Sequence, residues 1–150
     1  LRSFTSRTHW FWVAGNHDPH PPAKLGGDCV EALAVGTLEF RHEPRPGPAT
    51  GEICGHLHPS ASVGVKGRSL RRRCFVSDGA RLIMPAFGAY TGGLDVFEDA
   101  ISGLFPGGFN VWLLGRDRVR CVEQKRLSVP ARLASTAASA KMATATEDGA

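Results

Sequence analysis

Three times between residues 12 and 59, a short apolar run gives way to polar residues that include histidine, and each segment stops at a proline. The segments are Trp12-Val13-Ala14-Gly15-Asn16-His17-Asp18-Pro19, Glu39-Phe40-Arg41-His42-Glu43-Pro44 and Ile53-Cys54-Gly55-His56-Leu57-His58-Pro59. The residue before a proline is disfavoured in the helical region. Asp18, Glu43 and His58 are therefore expected on stiff, extended backbone. In layered α/β folds, sites form beyond the carboxyl ends of strands. Three strand ends carrying imidazoles predict one convergent site.

Imidazole suits Zn, Mn, Fe and related ions. His56 and His58 are two residues apart, and a regular strand would point both to one face. Gly55 allows close backbone approach or a bend before them. Asn16 can add a neutral amide oxygen. Structural zinc sites favour Cys, so a His-rich site with an Asn oxygen and no thiolate cluster points to catalysis. His9 and His20 read as ordinary surface or core histidines. At average composition, Gly-Asn-His-Asp is expected by chance in about one chain in two thousand of this length. Gly-His-x-His is expected in about one in two hundred.

The rest of the chain reads as mostly β. Trp10 to Val13 is predicted to be a strand buried on both faces. Val30–Ala34 and Thr37–Arg41 are predicted as strands across a turn at Val35-Gly36, and Gly51–Cys54 as a short strand. A hairpin is expected around Lys66-Gly67, with Leu70–Val76 as its second arm. Arg81–Met84 follows the turn at Ser77-Asp78-Gly79 as a strand. Leu94, Phe97 and Ile101 have helical spacing. Phe109–Leu114 and Arg118–Val122 form a terminal hairpin. From Pro130 the chain is Ala, Ser and Thr with scattered charges, which predicts a folded domain over 1–129 and a disordered tail over 130–150.

With 150 residues, 42% of them hydrophobic, the chain has the composition of one globular domain. No run approaches the length of a transmembrane helix, so no membrane partner is expected. A net charge of +4 favours an anionic partner such as a phosphodiester. Arg68, Arg71, Arg72 and Arg73 are the densest basic patch. They read either as phosphodiester contacts or as a solvated hairpin. Tyr90, in a glycine-rich loop, reads equally as a base-stacking residue or a packed turn aromatic. Glu43 and Glu52 read as solvated groups or as supports for the ligands. Cys29, Cys54, Cys74 and Cys121 contain no C-x-x-C and read as reduced cysteines of a cytoplasmic protein.

These motifs resemble the calcineurin-like metallophosphoesterase superfamily. Its signatures run D-x-H, G-D-x-x-D, G-N-H-[DE], a lone His and G-H-x-H. The last three match at Gly15–Asp18, His42 and Gly55–His58. Cys74-Phe75-Val76-Ser77-Asp78-Gly79 and Pro85–Leu94 look like the bacterial ligase-associated DNA damage response endonucleases. The resemblance covers about residues 8–125. It implies an α/β fold, the C-terminal part of an α/β/β/α sandwich with mixed sheets. It also implies a phosphodiesterase using two divalent ions, Mn²⁺ first, with Zn²⁺ or Fe²⁺ as alternatives. By position, Asn16, His42 and His56 would bind one ion and His58 the other. His17 would stabilise the transition state or protonate the leaving oxygen, with Asp18 orienting it. Arg71, Arg73 and Tyr90 would contact the substrate. Nucleic acid is the implied substrate, and DNA ligase and helicase are implied functional associates.

D-x-H and G-D-x-x-D do not occur in these residues, and His9 and Asp28 do not supply them. The expectation is an N-terminally truncated member with impaired activity. Two alternatives stay open. One is a non-catalytic metal-binding module using His42, His56, His58 and Cys54. The other is a basic nucleic-acid-binding remnant centred on Arg71–Arg73.

Overall fold

The structure is a computed structural model and describes residues 5–17, 19–20, 23–88, 91–131 and 133–134. Asp18, Tyr90 and the expected tail beyond residue 134 lie outside the described residues.

Ten strands dominate the described residues. β1 (Phe11–Val13) and β2 (Asp28–Val30) form a two-stranded parallel sheet, with Trp12 opposite Cys29. β3 (Ala32–Val35), β4 (Leu38–Arg41), β5 (Glu52–Cys54), β6 (Ser60–Val65), β7 (Arg68–Ser77) and β8 (Arg81–Ile83) follow. Helix α1 (Asp99–Ser102) is a single turn, and β9 (Asn110–Leu114) and β10 (Val119–Glu123) make the last hairpin. The main sheet runs β10-β9-β7-β8-β5-β4-β3, with β6 paired to β7 alone. β4, β5 and β8 are parallel, and the other ladders are antiparallel. This mixed sheet with little helix is the α/β arrangement anticipated from sequence.

The hairpins follow local chemistry. Lys66 and Gly67 both have positive φ, 48° and 75°. Two left-handed central residues match the right-handed twist of β6 and β7, and glycine takes the second at no steric cost. Alternation then buries Cys74 and Val76 on one face of β7. They join Cys54, Ile83, Val96, Ile101, Val111 and Phe109 in the core. Each such Val, Ile or Phe contributes about 1.5–3 kcal/mol by leaving water.

Two expectations are corrected. β1 is half-buried along its whole length rather than buried on both faces, because among the described residues it pairs with β2 alone. Helical spacing from Leu94 yields only the one turn of α1. Residues 94–96 instead lie extended along β6, where Ser60 N donates to Leu94 O at 2.9 Å and Val96 N donates to Ser60 O at 3.0 Å.

An ion pair absent from the sequence reading lies beneath the site. Arg81 on β8 donates through Nε to Glu52 on β5, and the two side chains are only 2% and 4% exposed. Its Nη2 donates to Arg45 O at 2.6 Å and Gly47 O at 3.0 Å, and Nη1 donates to Leu104 O at 3.2 Å. Glu52 Oε1 in turn accepts from Arg45 N at 2.9 Å. Charge burial is tolerated here because the charges are paired and the remaining donors are hydrogen-bonded. The cluster pins the loop that follows His42 and Glu43 to the centre of the sheet.

Candidate metal centre

The three histidine-bearing strand ends lie at the carboxyl ends of β1, β4 and β5. β1 ends in Ala14-Gly15-Asn16-His17, anchored by Ala14 N donating to Val30 O at 2.8 Å. β4 leads straight into His42 and Glu43, and β5 into Gly55 and His56. Gly55 N donates to His42 O at 3.0 Å, which holds the last two loops together.

Three predicted ligands converge. Asn16 Oδ1 lies 2.7 Å from His42 Nε2, and His56 Nδ1 lies 3.1 Å from the same nitrogen. The two rings meet edge-on, with centroids 5.0 Å apart. Each facing atom can offer a lone pair, and only ring protons are available to separate them. A divalent cation would accept electron pairs from all three. This N,N,O donor set fits the metal expected at that half of the site. Glu43 joins the cluster, with its Oε1 3.7 Å from His56 Nε2. The donor atoms of His42, Glu43 and His56 all lie within 4.8 Å of one another. A carboxylate on the far nitrogen of a ligating histidine fixes its tautomer and raises its basicity. The signal for Glu43 was its place between His42 and Pro44.

Partial burial lowers the His42 pKa below its ordinary 6.5, and the neighbouring His56 adds to the effect. A lowered pKa keeps the imidazole neutral, the form that binds metal.

His56 and His58 do not share a strand face. β5 ends at Cys54, and both histidines have left-handed backbone, with φ of 62° and 47°, so His58 does not have the extended backbone expected before Pro59. Positive φ is uncommon outside glycine, and two ligand-type residues holding it two positions apart mark a constrained loop. The twist separates their roles. His56 meets His42, while His58 lines an adjoining cleft with His17 and His56.

Cys54 does not join the cluster. It is fully buried, its Sγ faces Leu82 O at 3.7 Å, and burial pushes its thiol up to about 12. Among the described residues, the gathered donors are His42, Glu43 and His56, without Cys54. His9 pairs with Asp28 at the surface, 3.1 Å apart. Arg71 is partly a structural clamp, donating to Ser60 Oγ and to Gly93 O. Arg73 Nη1 donates to Ala86 O at 3.2 Å.

The chain is similar to a solved nuclease. That protein is the nuclease MPE of Pseudomonas putida, with a TM-score of 0.60 and 29% identity. The match covers 81% of this chain and 57% of the nuclease. No family model and no curated protein matches the sequence. The likeness to MPE agrees with the mixed α/β sheet. Among the described residues, no helix is long and apolar enough to cross a membrane.

Proposed function

We propose that this chain carries part of the active site of a metal-dependent phosphodiesterase, a nuclease of the metallophosphoesterase type. The observation that carries the reading is the convergence of Asn16 Oδ1 and His56 Nδ1 on His42 Nε2. The likeness to a nuclease supports the substrate class.

In this reading Asn16, His42 and His56 hold one divalent ion, with Mn²⁺ the first choice, and His58 contributes to a second. When bound, the ions polarise the phosphate and acidify the attacking water. Glu43, with Oε1 3.7 Å from His56 Nε2, places a negative charge behind the His56 ring, whose Nδ1 faces inward. His17, exposed at the mouth of the cleft, donates a proton to the leaving oxygen, and Asp18 orients it. D-x-H and G-D-x-x-D do not occur in these residues, so the ligands named here are those of Gly15–Asp18, His42 and Gly55–His58. DNA repair, association with ligase and helicase, and a cytoplasmic location belong to the same proposal.

The test is hydrolysis of bis-p-nitrophenyl phosphate and of DNA by the full-length gene product. Activity should vanish with chelator and return with Mn²⁺. Asn16→Ala and His56→Ala should each reduce turnover by roughly 10²-fold or more, as expected when an open catalytic metal site loses a ligand. Near wild-type turnover in either variant would overturn the mechanism.

A further inference from the structure

We propose that Arg71 is a positioning residue for His58. It fastens the 93–94 segment to Ser60, and that segment holds His58 in the left-handed backbone from which it serves the metal centre. The metal role of His58 rests on the reading above, whereas the fastening rests on geometry alone.

His58 needs holding. Its φ is 47°, a region that residues other than glycine rarely occupy, and a residue before proline is drawn to extended backbone instead. Such a conformation persists only where its surroundings over-determine it. Here Leu94 brackets His58 on both sides. Leu94 N donates to Leu57 O at 3.4 Å, and Ser60 N donates to Leu94 O at 2.9 Å. Gly93 lies against His58 itself, since a Cβ on Gly93 would come within 2.3 Å of His58 O. Only a residue without a side chain lets backbone approach backbone so closely there.

Arg71 fastens this arrangement. It lies on β7 opposite Ser62, and its side chain reaches diagonally to Ser60. Its Nε and Nη2 donate to Ser60 Oγ at 2.9 and 2.6 Å, and Nη2 donates also to Gly93 O at 2.8 Å. Ser60 Oγ donates its own proton to Leu94 O at 2.9 Å. The hydroxyl therefore uses its donor and both acceptor positions. Arg71 thus directs its Nε and Nη2 protons inward, onto the two segments that flank His58. Arg72, the next residue along the strand, makes no such link, and its Nη1 donates to Arg71 O at 3.0 Å. Arg71, Arg72 and His58 all line one cleft.

This role and simple charge predict opposite signs. Removing a cation beside a metal site strengthens the attraction for a divalent ion. Releasing His58 weakens the hold on that ion.

The test is carbethoxylation of the full-length protein by diethyl pyrocarbonate, read at each histidine by mass spectrometry, first without metal and then across a Mn²⁺ titration. Without metal, Arg71→Met and Ser60→Ala should each speed the modification of His58 and leave His42 and His56 at wild-type rates. Arg72→Met should change none of the three. The Mn²⁺ concentration that protects His58 should rise about 10–100-fold in Arg71→Met, the range seen when support of a metal ligand is lost, and should not rise in Arg72→Met. Thermal melts check that the variants fold, and Ser60→Ala carries the test if Arg71→Met does not. Wild-type reactivity of His58 in the folded variants, or protection by less Mn²⁺ in Arg71→Met, would overturn the proposal. If Mn²⁺ protects no histidine of the wild type while the variants still release His58, the metal reading fails and the fastening stands.

Discussion

The imidazole of His42 stands so close to Gly15 that a Cβ on Gly15 would lie 2.7 Å from Nδ1 and 2.8 Å from Cε1. The strand end that carries Asn16 is thus shaped to the ring that Asn16 faces. Gly15→Ala should push His42 away from Asn16 and His56 without disturbing the core. Its Mn²⁺ affinity should fall by about 10–100-fold, the range seen when support of a metal ligand is lost. Calorimetric titration checks this, with the thermal melt of the metal-free protein expected to stay close to wild type.

The Arg81–Glu52 pair predicts an asymmetry in stability. Arg81→Met alone leaves the Glu52 carboxylate buried without its partner, and should cost about 3–5 kcal/mol. Arg81→Met with Glu52→Leu removes both charges and should recover most of that loss. Urea denaturation of the two variants decides it. Equal destabilisation would show that the carbonyl contacts of Arg81, rather than its charge pairing, hold the 45–47 loop.

The lowered pKa of His42 makes stability depend on pH. The folded state binds its proton less readily than the unfolded state, whose value is the ordinary 6.5. Unfolding therefore takes up a proton between the two values, and stability rises with pH there. The contribution is complete above about 6.5, declines as pH falls below it, and levels off below the folded-state value. Thermal melts of the metal-free protein across this range should show the decline. His42→Gln should flatten it.

Thiol labelling should divide the four free cysteines in two. Cys54 and Cys74 are buried, and burial raises both thiols to about 12. Cys29 and Cys121 are exposed. Mass spectrometry after brief alkylation of the native protein should find adducts on Cys29 and Cys121 alone, with all four modified in denaturant.

Much of this arrangement is legible before folding. The Lys66-Gly67 turn and the terminal hairpin are local patterns, and each forms where its residues predict. Asn16, His42 and His56, which converge here, could be singled out as candidate donors by their rare, clustered residue types and by the motifs they fall in. What could not be read depends on distant partners. Glu52 and Arg81 look like exposed charges on short strands until β5 and β8 pair and bring them together. The left-handed turns at His56 and His58 break the strand period by which the two seemed to share a face.

The parallel centre of the sheet also sets an order of assembly. The β3–β4, β6–β7 and β9–β10 hairpins close over short turns. By contrast, Asn16 and His42 are 26 residues apart, His42 and His56 are 14 apart, and Glu52 and Arg81 are 29 apart. The entropy lost on closing a loop grows with its length, so contacts between neighbours in sequence form before those between strangers. A chain halted midway would hold finished hairpins and scattered histidines. Capture of a metal ion would then report that folding has ended rather than that it has begun.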